Sequence, residues 1–149
     1  MAEGRDAPPT VDFFEVRGPR WDLELCRRVE AAYLQGLRVY VWAEDEARAR
    51  HLDDLLWEFR EDAFVPHGLW QGQPELDEPV AVGWRPGNPN RARCLALARD
   101  ASPDEVRGFE RVIDLAPVDD PERVGPARER FKAFRAAGLR TVFHRARAP

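Results

Sequence analysis

Short segments rich in β-branched and aromatic residues alternate with amphipathic helical stretches along most of this chain, and that alternation leaves few architectures open. Val11 to Val16 reads as a strand, and Trp21 to Gln35 as a helix with Leu25, Val29 and Ala32 on one face, stopped by Gly36. Leu37 to Trp42 has the composition of a central strand, and Asp45 to Phe59 continues as a second helix. Pro66 to Pro79, with its prolines, glycines and acidic residues, is expected as an irregular loop before a strand at Val80 to Trp84, and Arg85 to Arg91 as a turn. Cys94 to Ala98 follows as a strand. Ser102, Pro103 and Glu105 then have the spacing of a capping box with proline at the first helical position. Val112 to Leu115, Pro126 to Ala137 and Leu139 to His144 complete the pattern as strand, helix and strand, with Gly138 as the helix stop. Parallel strands need long crossovers, and the helices supply them. The expected fold class is therefore α/β: a three-layer domain with a mostly parallel central sheet flanked by helices, Rossmann-like without a nucleotide-binding loop. At 149 residues one domain suffices, spanning 11–149 behind a polar extension at 1–10.

Within that frame, the run from Leu52 to Leu69 carries more aromatics than a helical stripe requires. Leu52, Leu55, Leu56 and Phe59 already form one core-facing stripe, which leaves Trp57 off it, followed by the apolar cluster Phe64, Val65 and Pro66. Two readings stand: the cluster folds back to complete the core, or it is a partner surface.

The last helix has a different character. Arg128, Phe131, Lys132 and Arg135 recur at i, i+3, i+4 and i+7, while Ala127, Phe134 and Ala137 point elsewhere toward the core. Such a face suits an acidic peptide with an apolar end, because guanidinium grips a carboxylate through paired hydrogen bonds and the ring receives a side chain. Lys132 is the only lysine among 23 basic residues. Residues 121–149 hold eight arginines or lysines against Glu122 and Glu129, a local charge of +6 in a chain of net charge -4. The alternative is a solvated arginine-rich helix, and the acidic remainder argues against a broad nucleic-acid footprint.

Catalytic and cofactor chemistry is thinly represented. The turn after the first strand, Arg17-Gly18-Pro19-Arg20, has neither a phosphate loop nor a dinucleotide fingerprint, and Pro19 removes a backbone donor. Ser102 is the only serine, and its spacing explains it as a cap. His51 with Asp53 or Asp54 lacks a third ligand at a recognisable spacing, so neither a metal nor another cofactor is expected. His67 fits a turn or interface residue better than a general base, and His144 stands among arginines with no carboxylate nearby in the chain. Cys26 and Cys94 are expected as buried apolar residues rather than a bridge. No stretch approaches the ~18 apolar residues of a membrane span, and a cytoplasmic protein is expected.

Taken in order, VDFF at Val11 to Phe14, the strand at Gly36 to Tyr40 with Glu44-Asp45-Glu46, LLW with the F-x-P-H segment, and ARERFKAFRAAG at Ala127 to Gly138 resemble the chi subunit family of bacterial DNA polymerase III. The resemblance implies the same α/β fold and a non-catalytic accessory subunit, attached to the replisome and so to the nucleoid. Its partners would be psi, which joins chi to the clamp loader, and the acidic C-terminal tail of single-stranded DNA-binding protein, with DNA contact indirect. It implies tail binding by Arg128, Phe131 and Lys132, beside Arg135, with Phe131 where the family commonly has tyrosine. It also implies docking of psi, or of a helicase, at Trp57, Phe64, Val65 and Pro66. A small nucleotide-dependent enzyme and a direct single-stranded DNA binder are the rival readings.

Overall fold

The computed structural model describes residues 7–62 and 64–146. Its centre is a seven-stranded sheet in which every pairing is parallel: β1 (Thr10–Val16), β2 (Val39–Ala43), β3 (His67–Leu69), β4 (Val80–Gly83), β5 (Cys94–Ala98), β6 (Arg111–Pro117) and β7 (Arg140–His144) lie in the order β3-β4-β2-β5-β6-β1-β7. The expectation of a mostly parallel α/β sheet holds. The expected polar extension falls mostly on residues 1–6, outside the described residues, and Thr10 already belongs to β1.

Helices α1 (Trp21–Leu34) and α2 (Glu46–Glu58) cover one face, where Leu25, Cys26, Val29, Leu52 and Leu56 pack on Val39, Val41, Cys94, Ala96 and Ile113. The short α3 (Pro103–Val106) and the long α4 (Pro121–Ala136) contribute Val106 and Phe134 to the opposite core, against Val11, Phe13, Leu95 and Val112. Alternation along each strand feeds both cores, so the central strands are apolar on both sides. Cys26 and Cys94 are free and buried, and burial pushes both thiols up to about 12.

Two local readings need correction, and a third holds. The last helix begins at Pro121, five residues before the expected Pro126, because Asp120 caps it through Oδ1 to the amides of Glu122 (2.9 Å) and Arg123 (3.2 Å) with proline at the first turn. Pro126 then sits inside the helix at the loss of one backbone hydrogen bond. The segment after Pro66 is not wholly irregular, since His67–Leu69 adds β3 to the sheet edge against β4. The capping box at Ser102 is present in both directions: Ser102 Oγ accepts from Glu105 N, and Glu105 Oε1 accepts from Ser102 N at 2.8 Å.

Candidate binding surfaces

In doubly wound sheets, ligands settle at the carboxyl ends of the strands, where a helix N-terminus offers free amides. Here that place is a small polar crevice of about 210 Å³, lined among others by Trp21, Arg48, Asp114, Arg123 and Arg130. The amide of Gly18, in the turn before α1, donates to Asp119 Oδ2 at 2.8 Å. Two guanidiniums lie against the Trp21 ring, Arg123 at 3.6 Å and Arg48 at 4.7 Å from its centroid, and Arg48 is held by Asp22 at 2.6 Å. Deeper in the crevice Arg130 forks onto Asp114, Nε to Oδ2 at 2.8 Å and Nη2 to Oδ1 at 3.1 Å. Burial pushes the Asp114 carboxyl up to about 6, while Arg130 and the Leu115 amide pull it back. The same pairing raises Arg130 despite burial, so the guanidinium stays charged.

On the outer flank of α4 the structure opens an apolar pocket of about 340 Å³. Its floor and walls are Phe13, Ala116, Val118, Val124, Ala127, Phe131 and Phe143, and Arg128 and Lys132 stand at it as the two cations. The Phe131 ring meets Phe13 edge to face at 5.3 Å, which fixes the aromatic wall. Arg128 has no ion-pair partner among the described residues, whereas Lys132 has only the exposed Glu129 at 3.5 Å. Arg135 lies outside the lining, with its guanidinium 5.7 Å from the Phe131 ring, and so braces the ring rather than the pocket. Three of the four residues read from the helix face are therefore brought together at one cavity. Sequence reading missed Phe13 and Phe143, which are register partners on adjacent β1 and β7 and so share a face. Only strand pairing reveals that.

The second expected cluster is exposed only in part. Trp57 is 56 % exposed and Phe64 68 %, with ring centroids 6.2 Å apart. Val65 is a correction: at 1 % exposure it belongs to the core under α2, and Pro66 is only partly exposed. The reason is His67, which turns the segment inward. Its Nδ1 is 2.7 Å from the Val65 carbonyl and its Nε2 2.9 Å from the Asp53 carbonyl, with the Asp53 carboxylate at 3.4 Å and the Trp57 ring at 4.5 Å. Burial raises the Asp53 carboxyl, an effect His67 opposes. His67 is thus a buried tie and not an exposed base. His144 also differs from expectation, since its Nε2 lies 2.8 Å from Asp12 Oδ1 across the β1–β7 pair.

The fold is a parallel α/β domain with an apolar pocket beside α4 and β7 and an exposed aromatic pair beside β3. A family model described as DNA polymerase III chi subunit, HolC, matches residues 9–141. The chain is 36 % identical over 138 residues to the DNA polymerase III subunit chi of Pseudomonas aeruginosa, covering 91 % of this chain and 95 % of that protein. It is 34 % identical over 116 residues to that of Escherichia coli, covering 77 % and 78 %. The corresponding Haemophilus influenzae protein is 31 % identical over 114 residues, covering 76 % and 78 %. The chain belongs to the DNA polymerase III chi subunit family, and is an accessory subunit of a DNA replicase. The crystal structure of T4 UvsW superposes with a TM-score of 0.66 at 7 % identity, covering 92 % of this chain and 41 % of that one, a likeness of fold alone. Among the described residues no helix is long and apolar enough to cross a membrane.

Proposed function

We propose that this chain is a non-catalytic adaptor that binds psi, and through it the clamp loader, with one surface, and the acidic C-terminal tail of single-stranded DNA-binding protein with the other. The observation that carries this reading is the α4 pocket, where an apolar cavity lies beside a guanidinium that has no ion-pair partner among the described residues. A tail that ends in an apolar side chain and a free carboxylate presents those two groups at its last residue. Arg128 would take the carboxylate, Phe131 and Phe13 the side chain, and Lys132 the acidic residues before it.

Topology supports a bridge. The tail pocket touches β7 and the Trp57–Phe64 pair lies beside β3, the two opposite edges of the sheet. Six inter-strand gaps separate those edges, roughly 29 Å at about 4.8 Å each, so the two surfaces do not overlap. Joining two modest contacts in one subunit raises effective concentration and keeps the replicase near coated DNA.

Calorimetric titration with the tail peptide and, separately, with psi tests this reading. Phe64→Ala is expected to weaken psi binding by about 1.5–3 kcal/mol, the burial energy of the ring, with tail binding unchanged. Because Phe64 is mostly exposed in the free subunit, the melting temperature should hold. Equal loss of both partners in a folded Phe64→Ala protein would overturn the two-surface arrangement. A helicase that competes with psi for the same aromatic pair would keep the surface and change only its occupant.

A further inference from the structure

A second basic feature lies away from α4, with four of its arginines in the part of the chain whose summed charge is acidic. Along one wall of a groove of about 990 Å³, α1 and the turn before it present Arg17, Arg20, Arg27 and Arg28, and the end of β7 supplies His144 and Arg145 from the other side. Glu15 and Glu24 are the carboxylates of the lining. They engage Arg17 at 3.3 Å and Arg27 and Arg28 at 3.7 and 2.8 Å, which leaves five arginines against two acids. Arg20 and Arg145 have no ion-pair partner among the described residues.

An aromatic stack runs through the same groove. The Arg28 guanidinium sits 4.0 Å over the Phe14 ring, and His144 stacks on Phe14 at 4.8 Å and 17°. The His144 side chain is 42 % exposed, so its ring is accessible to a further planar group. Strand alternation accounts for the placement: Phe143 points into the α4 pocket while its neighbour His144 points into this groove.

We infer that this groove binds the sugar-phosphate backbone of single-stranded nucleic acid, with a base resting on His144. Guanidiniums on both walls suit phosphate oxygens, and flat rings among cations suit bases, the combination found in sequence-tolerant single-strand grooves. From Arg20 to Arg27 the wall runs roughly 10 Å along the helix axis, enough to follow a few phosphates. An acidic peptide would leave the stack unused. The inference goes beyond the adaptor reading and does not depend on it. Direct contact with the strand would be weak, and would add to protein-mediated attachment.

Fluorescence anisotropy of a labelled oligothymidine of about 20 nucleotides, titrated with the full chain, tests the groove. Saturable binding is expected, weakening roughly 50-fold from 50 to 200 mM salt if about four phosphates are engaged. Arg17→Glu/Arg27→Glu should weaken it about tenfold or more, while Arg93→Glu/Arg107→Glu, the same charge change elsewhere, should stay within about threefold. Equal loss in both variants, or no saturation at low salt, would overturn the inference. So would displacement of the oligothymidine by an oligoglutamate peptide of equal charge at equal concentration. Should the groove variant fold poorly, photocrosslinking of wild type to a bromodeoxyuridine-substituted strand decides instead: adducts at Phe14 or His144 support the groove, and adducts confined to α4 refute it.

Discussion

Replacing Arg128 by alanine is expected to weaken binding of the acidic tail peptide by roughly 10- to 150-fold, the equivalent of one charge-assisted hydrogen-bond system worth about 1.5–3 kcal/mol. The effect is large because Arg128 is not engaged by another side chain of the described structure. Its charge is free to be spent on a ligand rather than shared with an internal carboxylate. Amidating the peptide C-terminus should cost a similar amount against the wild type and almost nothing more against Arg128→Ala, because both changes delete the same pair. Additive losses would mean that Arg128 reads the acidic residues upstream and not the terminus. Raising salt should reduce the wild-type advantage, since the cation stands at the pocket rim where screening reaches it. Phe131→Ala differs in kind. It removes the aromatic wall, which meets Phe13 inside the protein, and so lowers stability as well as affinity.

The sequence made the fold legible because α1 and α2 keep a clean apolar stripe and the central strands β2 and β5 are apolar on both faces. Positions at the margins were harder. Pro126 looked like a helix start, yet Asp120 with Pro121 is the stronger N-terminal signal, and a capped first turn tolerated the later proline. Val65 reads like its exposed neighbour Phe64 by composition alone. What separates them is His67, buried with its ring nitrogens against the Val65 and Asp53 carbonyls, a contact that spans fourteen residues to Asp53. The α4 face was visible through helical spacing, but a pocket needs two walls. The second wall comes from β1 and β7, which are far apart in the chain and adjacent in the sheet. The groove on the opposite face was hidden for the same reason, since four of its five arginines lie in a region whose net charge is negative, the fifth follows β7, and only the fold gathers them.

Arg130→Met should destabilise the protein by about 3–5 kcal/mol at pH 8, because it leaves the fully buried Asp114 without its counter-charge. Burial already holds that carboxyl at about 6, above the ordinary 3.8, with Arg130 pulling it down. A raised carboxyl contributes stability that is complete below its unfolded value and is lost as the pH rises through the folded value. In the wild type that window runs from about 3.8 to about 6. Without Arg130 the folded value moves higher still, so the penalty should be small at pH 5, where Asp114 takes up a proton, and should grow through neutrality. Urea titrations of wild type and variant at pH 5 and pH 8 measure this directly, and a penalty independent of pH would show that Arg130 acts through packing alone. Asp114→Leu/Arg130→Met, which removes both charges, should recover most of the stability at either pH. The pair also has a bearing on the tail site. It ties α4 to β6 at the position between Arg128 and Phe131. Tail affinity should therefore fall in the single variant and return in the double one, without any change to a residue that lines the pocket.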